Sequence, residues 1–298
     1  MVMYRVESVK GKRNKRVLIF VIIISIILIL SAIFAGIKVA EHMATKKQLE
    51  MQEDEAELNV EEISEKKENN ATEIPKANPN KLTKEQISNI DNIYSSKEKR
   101  VFLTFDDGPS QTVTPKILDT LKKENVKATF FVLGTMIKSS PELLKRERQD
   151  GHYIANHGYS HVYKKIYENE KKPLEEYNKT NRLIQEALGD KTYQSNVFRF
   201  PGGSVGGYYD NIKYKSKKVL KENGVAYLDW NALTNDAAGS ETKDAIMKNL
   251  KATCKGKDSV VVLMHDAPNK TLTAQTLPDV ISYLREQGYK FENLYDIL

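Results

Sequence analysis

Seven ionisable side chains fall at or just after short apolar runs: Asp106 and Asp107 in TFDDGPS (104–110), His157 and His161 in NHGYSH (156–161), Arg199 in FRFPGG (198–203), Asp236, and His265 closing VVVLMH (260–265). His157 and His161 are four residues apart, a spacing that lets both imidazoles meet one ion from a single turn. With a carboxylate they make a His2Asp set, which leaves positions open for water as catalytic zinc requires. Two adjacent aspartates cannot both ligate one ion and both act as bases. One binding the metal while its neighbour takes a proton from metal-bound water divides the labour. The metal lowers the pKa of its water towards ~7 and polarises a substrate carbonyl. Asp-Asp-Gly-Pro is also ordinary turn chemistry, so the aspartates gain meaning from the histidine pair. Of the five histidines, His42 lies far upstream in a polar stretch, and His152 reads as structural.

These residues need a scaffold that gathers distant segments. From Arg100 onward, apolar runs at 101–105, 128–134, 153–156, 197–200, 225–230, 260–265 and 289–294 alternate with helix candidates near 113–124, 141–149, 173–188, 213–223, 241–254 and 273–287. Short strands alternating with amphipathic helices imply parallel strands joined by right-handed crossovers. Six or seven such units in about 200 residues predict a (β/α) barrel smaller than the eightfold one. A doubly wound open sheet is the alternative, and no Gly-rich phosphate loop follows the first strand to support a nucleotide site. In both folds the C-terminal strand ends converge on one face, where active sites are built. Five segments would thus deliver all seven groups to one pocket.

TFDDGPS, the HxxxH pair, RFPGG and LMH (263–265), in that order across residues 98–298, resemble the motif series of the polysaccharide deacetylase family, the NodB-homology domain of carbohydrate esterase family 4. The resemblance implies a distorted (β/α) barrel of seven strands. It further implies Asp106 as general base and Asp107, His157 and His161 as ligands of a divalent metal, most commonly Zn²⁺ with Co²⁺ an alternative. Arg199 would hold the base, the backbone near Gly202 would form the oxyanion hole, and Leu263 would line the acetyl pocket. His265 would be the general acid, oriented by Asp236. The chain departs from the family pattern at Gly158, where a Ser or Thr usually braces the loop, and at Ala237, where a Trp usually follows the aspartate. Trp230 lies earlier on that segment. The implied reaction is removal of acetyl groups from a cell-surface polysaccharide, with N-acetylglucosamine of peptidoglycan first and poly-N-acetylglucosamine or chitin-like oligomers second. The two rival readings are a glycan-binding protein without turnover and a metal-dependent hydrolase of another amide or ester.

The remaining third of the chain concerns location. Residues 17–37 run 21 residues without a charge, enough at ~1.5 Å each to cross the ~30 Å hydrocarbon core. Lys10, Lys12, Arg13, Lys15 and Arg16 precede them, which predicts a cytoplasmic tail (1–16) and an extracytoplasmic remainder on a single-pass membrane anchor. A cleaved signal peptide is the competing reading. Residues 38–96 carry eight basic and thirteen acidic residues with almost no aromatics, the composition of a polar stalk. The catalytic domain is then 97–298, with a net charge of +6 that suits an anionic wall polymer. Nothing resembles a nucleic-acid motif, and no obligate protein partner is inferred. The single cysteine, Cys254, excludes an internal disulfide and reads as a small core residue.

Overall fold

The computed structural model describes residues 82–238 and 240–298. The expected tail (1–16), membrane span (17–37) and most of the stalk lie outside the described residues; among those described, no helix is long and apolar enough to cross a membrane.

Seven parallel strands form a continuous path: β5 (Ala226–Tyr227), β4 (Val197–Phe198), β3 (Tyr153–Asn156), β2 (Thr129–Val132), β1 (Arg100–Asp106), β7 (Ser259–His265) and β6 (Ala232–Leu233). A further strand, β8 (Lys290–Glu292), pairs with residues 100–102 of β1 while β2 pairs with residues 104–106, so β2 and β8 share one edge of β1. Strands β5 and β6 end the path on opposite sides, yet only residues 228–231 join them. Such a connection reaches about 17 Å at most, whereas the ends of a flat seven-strand sheet would be about 29 Å apart at ~4.8 Å per strand. The sheet must therefore curl. No ladder pair closes β5 onto β6 among the described residues, so the expected barrel is a curled half-barrel with an open seam. The reason is local: β4, β5 and β6 are two residues long, too short to zip the seam. The run at 225–230, expected as one strand, is β5 followed by the connection that spans it.

Alternation along the strands divides the core. Val101, Leu103 and Phe105 of β1 face outward with Val260, Val262 and Met264 of β7, and pack under Ile117, Leu118, Leu121, Leu250, Leu277 and Ile281 of the surrounding helices. Phe102, Phe131, Tyr153, Ala155 and Val261 point into the half-barrel. The helices Thr114–Lys123, Pro141–Gln149, Lys172–Leu188, Asp210–Glu222, Lys243–Cys254 and Thr271–Glu286 lie close to the predicted ranges. Punctuation explains one clearly: Pro173 starts Lys172–Leu188, where a missing N–H costs nothing, and Gly189 ends it in the left-handed region at φ 67°.

Residues 82–95, expected as the end of the stalk, are part of the folded domain. Thr83 caps the helix Lys84–Asp91 through a capping box with Gln86. Ile90 and Ile93 bury in the interior of the half-barrel with Leu82, Phe102 and Leu294. Arg100 Nη2 donates to Ile93 O at 3.0 Å, which ties this segment to β1. The helix plugs the barrel at the N-terminal ends of the strands, leaving the C-terminal ends for polar residues. Cys254 is buried in the outer core, and burial pushes its thiol up to about 11.

Candidate active site

The residue after β1 is Asp107, and His157 follows β3. Asp107 Oδ1 lies 3.6 Å from Nε2 of both His157 and His161. One ligand atom from each of the three residues falls within 4.8 Å of the others. Asp107 (φ 75°) and His161 (φ 54°) sit in the left-handed region, a conformation that costs of order 1–3 kcal/mol and concentrates at functional sites. His157 Nδ1 lies 2.8 Å from Arg199 O. A carbonyl only accepts, so Nδ1 carries the proton and the Nε2 lone pair is turned to Asp107. Burial holds the His157 imidazole neutral, down to about 3 against the partial support of Asp107. Asp107 Oδ1 itself is buried with no hydrogen-bond partner. An unpaired carboxylate oxygen between two imidazole nitrogens, one with an aimed lone pair, is a donor set that fits a divalent cation.

Asp106 is 2% exposed and Arg199 fully buried. Arg199 Nη1 donates to Asp106 Oδ1 at 2.8 Å and to Thr104 Oγ1 at 2.8 Å. Its Nε and Nη2 donate to Leu228 O and Asp229 O, both at 3.0 Å, and its guanidinium carbon sits 3.9 Å from the Phe131 ring centroid. Four hydrogen bonds and a ring fix the guanidinium before any substrate arrives. Burial raises the Asp106 carboxyl above the usual range, with Arg199 and His265 opposing it.

Asp106 and His265 are register partners across β1 and β7, as are Thr104 and Leu263. All four therefore face the interior. His265 Nδ1 donates to Asp236 Oδ1 at 2.9 Å, its backbone N–H donates to Asp236 Oδ2 at 2.8 Å, and Thr273 Oγ1 donates to the same oxygen at 2.8 Å. Burial alone would lower His265, but the Asp236 hydrogen bond and charge, with Asp106 and Asp107 behind them, raise it. Burial alone would raise Asp236; the bonds from His265 and Thr273 outweigh it and hold the carboxylate low. The half-buried Leu263 lies two residues before His265 on the same face. Gly202, at φ 74°, is exposed on the loop after β4. The seven ionisable residues, Leu263 and Gly202 thus surround one opening at the C-terminal ends of the strands.

Several contributors carry no strong sequence signal. Glu176, on the helix Lys172–Leu188, accepts from Tyr159 N (2.8 Å), Ser160 N (3.1 Å) and Ser160 Oγ (3.0 Å), and so braces the loop between the two histidines. At Gly158 a Cβ would lie 3.2 Å from Glu176 Oε2 and 3.0 Å from Ile166 Cδ1, and φ is 84°; glycine fits where the carboxylate does the bracing. Asp266 donates its backbone N–H to Asp106 O at 3.0 Å, and Gly108 must lack a side chain because a Cβ there would meet Asp266 Oδ2 at 2.0 Å. Burial pushes the Asp266 carboxyl up to about 7, against a hydrogen bond from Thr114. Its place directly after His265 is the one sequence signal that could mark it. Ala237 is exposed, while Trp230 packs beside Gly203 and lies 5.7 Å from the Arg199 guanidinium. His152 stands apart: it is buried among the strands, accepts from Ala128 N at 3.1 Å, and burial lowers it to about 3.

A family profile described as polysaccharide deacetylase matches residues 94–228. The chain is 37% identical over 200 residues to a peptidoglycan-N-acetylglucosamine deacetylase of Listeria monocytogenes, covering 67% of this chain and 39% of that protein. It thus spans about two fifths of the length of that relative. A peptidoglycan-N-acetylglucosamine deacetylase of Bacillus cereus is 32% identical over 236 residues, covering 76% of this chain and 78% of the relative. Among solved structures, a CE4 esterase of Streptococcus mutans matches with a TM-score of 0.63 at 32% identity, covering 72% of this chain and 91% of the other.

Proposed function

Because the chain belongs to the polysaccharide deacetylase family, we propose that it is a metal-dependent hydrolase removing acetyl groups from N-acetylglucosamine in peptidoglycan. The observation that carries this reading is the meeting of the Asp107–His157–His161 cluster with two buried pairs of opposite purpose, Asp106–Arg199 and Asp236–His265.

Asp107, His157 and His161 would hold the cation, and two imidazole nitrogens with one carboxylate suit Zn²⁺ first and Co²⁺ second. When bound, the metal supplies Lewis acidity that acidifies water and polarises the acetyl carbonyl. Asp106 takes the proton of the attacking water, with Arg199 opposing the burial that raises its carboxyl and holding it aimed. The Gly202 N–H donates to the oxygen that becomes negative, a contribution of about 3–4 kcal/mol for a well-placed donor. Leu263 lines the space for the acetyl methyl. His265, charged because Asp236 supports it, gives its Nε2 proton to the departing amine. Acetate and an amino sugar leave.

The choice of polymer is supported by what the Listeria and Bacillus cereus relatives are named for. The uncharged segment 17–37, preceded by a basic cluster, supports a single-pass membrane anchor with the catalytic domain outside and the polar stretch as its tether. The test is acetate release from N-acetylglucosamine oligomers and peptidoglycan by the purified chain, with Zn²⁺, with Co²⁺ and with chelator. Chelator-sensitive release that disappears in Asp106→Asn is the expected result. One bound metal per chain with no release from any glycan would overturn the reading, in favour of a binding protein or another amide or ester hydrolase.

A further inference from the structure

Tyr163 opens the short helical turn Tyr163–Ile166, two residues after His161. Its ring is held on three sides, with centroids 5.5 Å from His161, 5.8 Å from Tyr167 and 6.5 Å from Tyr209. It nevertheless remains 42% exposed. Its hydroxyl lies over Gly202: a Cβ on that glycine would stand 2.5 Å from Tyr163 Oη. The neighbouring Tyr167 commits its hydroxyl to Pro201 O at 2.6 Å. Among the described residues, neither Tyr163 Oη nor the Gly202 N–H makes a hydrogen bond, although Gly203 N, next along, donates to Phe200 O at 2.8 Å. A phenol hydroxyl and a neighbouring backbone N–H, both unused, therefore lie next to His161 of the Asp107–His157–His161 cluster. A glycine at 202 is what leaves room for the phenol.

We propose that Tyr163 is a catalytic residue, whose phenol hydroxyl is a second hydrogen-bond donor, beside the Gly202 N–H, to the acetyl carbonyl oxygen as that oxygen gains negative charge. The inference rests on the deacetylase reading and deepens it. An alkoxide-like oxygen has lone pairs enough for both donors. The proton stays on Tyr163 throughout; only the hydrogen bond strengthens. Three packed rings fix the phenol before substrate binds, so little reorganisation is needed as charge develops, the condition under which such donors act most strongly. Peptide N–H groups are fixed by the backbone, whereas a phenol is fixed only by its neighbours. The tilted ring contact with His161 thus links this donor to the loop that carries the histidine pair.

The test is Tyr163→Phe, which keeps the ring and its packing and removes one oxygen. In the zinc-loaded protein, kcat on N-acetylglucosamine oligomers falls about 10–100-fold, below the ~100–1,000-fold of an enclosed oxyanion donor because the ring is partly exposed. KM stays within twofold, and zinc stoichiometry and Tm are unchanged. Independently of turnover, calorimetric binding of acetate to the zinc-loaded protein weakens about tenfold or more in Tyr163→Phe, as loss of a hydrogen bond to a charged group requires. Wild-type kcat and unchanged acetate affinity in the variant overturn the proposal, as does a rise in KM alone or a loss of zinc. If the wild-type chain releases no acetate from any glycan, the deacetylase reading fails, while acetate binding still decides for or against Tyr163.

Discussion

Asp236 accepts three hydrogen bonds through two oxygens, and replacing it with Asn asks what each is for. At Oδ2 it meets two donors, the His265 backbone N–H and Thr273 Oγ1, both at 2.8 Å; at Oδ1 it meets His265 Nδ1 at 2.9 Å. A carboxamide has one oxygen. Placed at the two-donor position, it satisfies both donors and turns its NH2 towards Nδ1. The ring can then only accept there, which makes it neutral with its proton on Nε2. The general acid is lost without disturbing the backbone. Because the side chains of the pair are 12% and 3% exposed, solvent screens little, and the lost charge-assisted bond amounts to about 1.5–3 kcal/mol. That corresponds to a fall in kcat of about 10–150-fold at neutral pH. The sign of the pH effect is fixed as well. His265 is raised and works protonated, so its activity limb lies on the alkaline side; removing the support for its charge moves that limb to lower pH. Steady-state kinetics of Asp236→Asn from pH 5 to 10, with zinc content measured in parallel, checks both. A variant with kcat within twofold of wild type and an unmoved alkaline limb would refute the assignment of His265 as an acid tuned by Asp236.

The division between ligands and proton carriers gives a second expectation: Asp106→Asn keeps one zinc per chain and loses kcat, whereas His157→Ala loses zinc, both read by metal analysis after dialysis. Arg199→Leu strands a buried carboxylate, a loss of about 3–5 kcal/mol that calorimetry should read as a Tm drop of about 6–20 °C. Residual activity in that variant should show its acid limb displaced to higher pH, because Arg199 no longer opposes the burial that raises Asp106. Glu176→Gln keeps the shape but weakens the brace on the loop between the histidines, and zinc affinity should fall about 10–100-fold in competition with a chelator. Ile93→Ala, in a fully buried plug residue, should destabilise by about 2–5 kcal/mol, and a chain begun at Lys97 should melt below one begun at Leu82.

What was legible in the sequence was what sits at strand ends. Asp106, Asp107, His157 and His265 stand within two residues of the β runs that present them, so the apolar period and the polar interruption could be read together. The half-barrel's seam was not legible, because two-residue strands such as β4, β5 and β6 carry no period of their own. The N-terminal boundary was missed for the opposite reason. Leu82, Ile87, Ile90 and Ile93 have helical spacing, but they are diluted in a polar stretch that reads as stalk. Glu176, Thr273 and Tyr163 act from helices whose polar residues look like an ordinary solvated face, and only tertiary placement turns them inward. Gly158, which looked like a missing brace, is explained by a carboxylate eighteen residues away in the chain.

The arrangement around β1 has a consequence for how this chain reaches its native state. That strand, residues 100–106, pairs along its whole length with residues 259–265 and over its first three residues with residues 290–292. The plug helix is fastened to the same distant region, since Gln86 Nε2 donates to Leu298 O. The central strut of the sheet is therefore completed by partners about 160 and 190 residues downstream. Contacts of such sequence separation must offset a large loop-closure entropy before they stabilise anything, which slows folding. During synthesis, the early βα units would emerge with β1 still unpaired on one side and its exposed edge open to wrong partners. The separation of these partners in the chain therefore predicts slow folding, with β1 fully paired only once residues 259–265 and 290–292 have joined it.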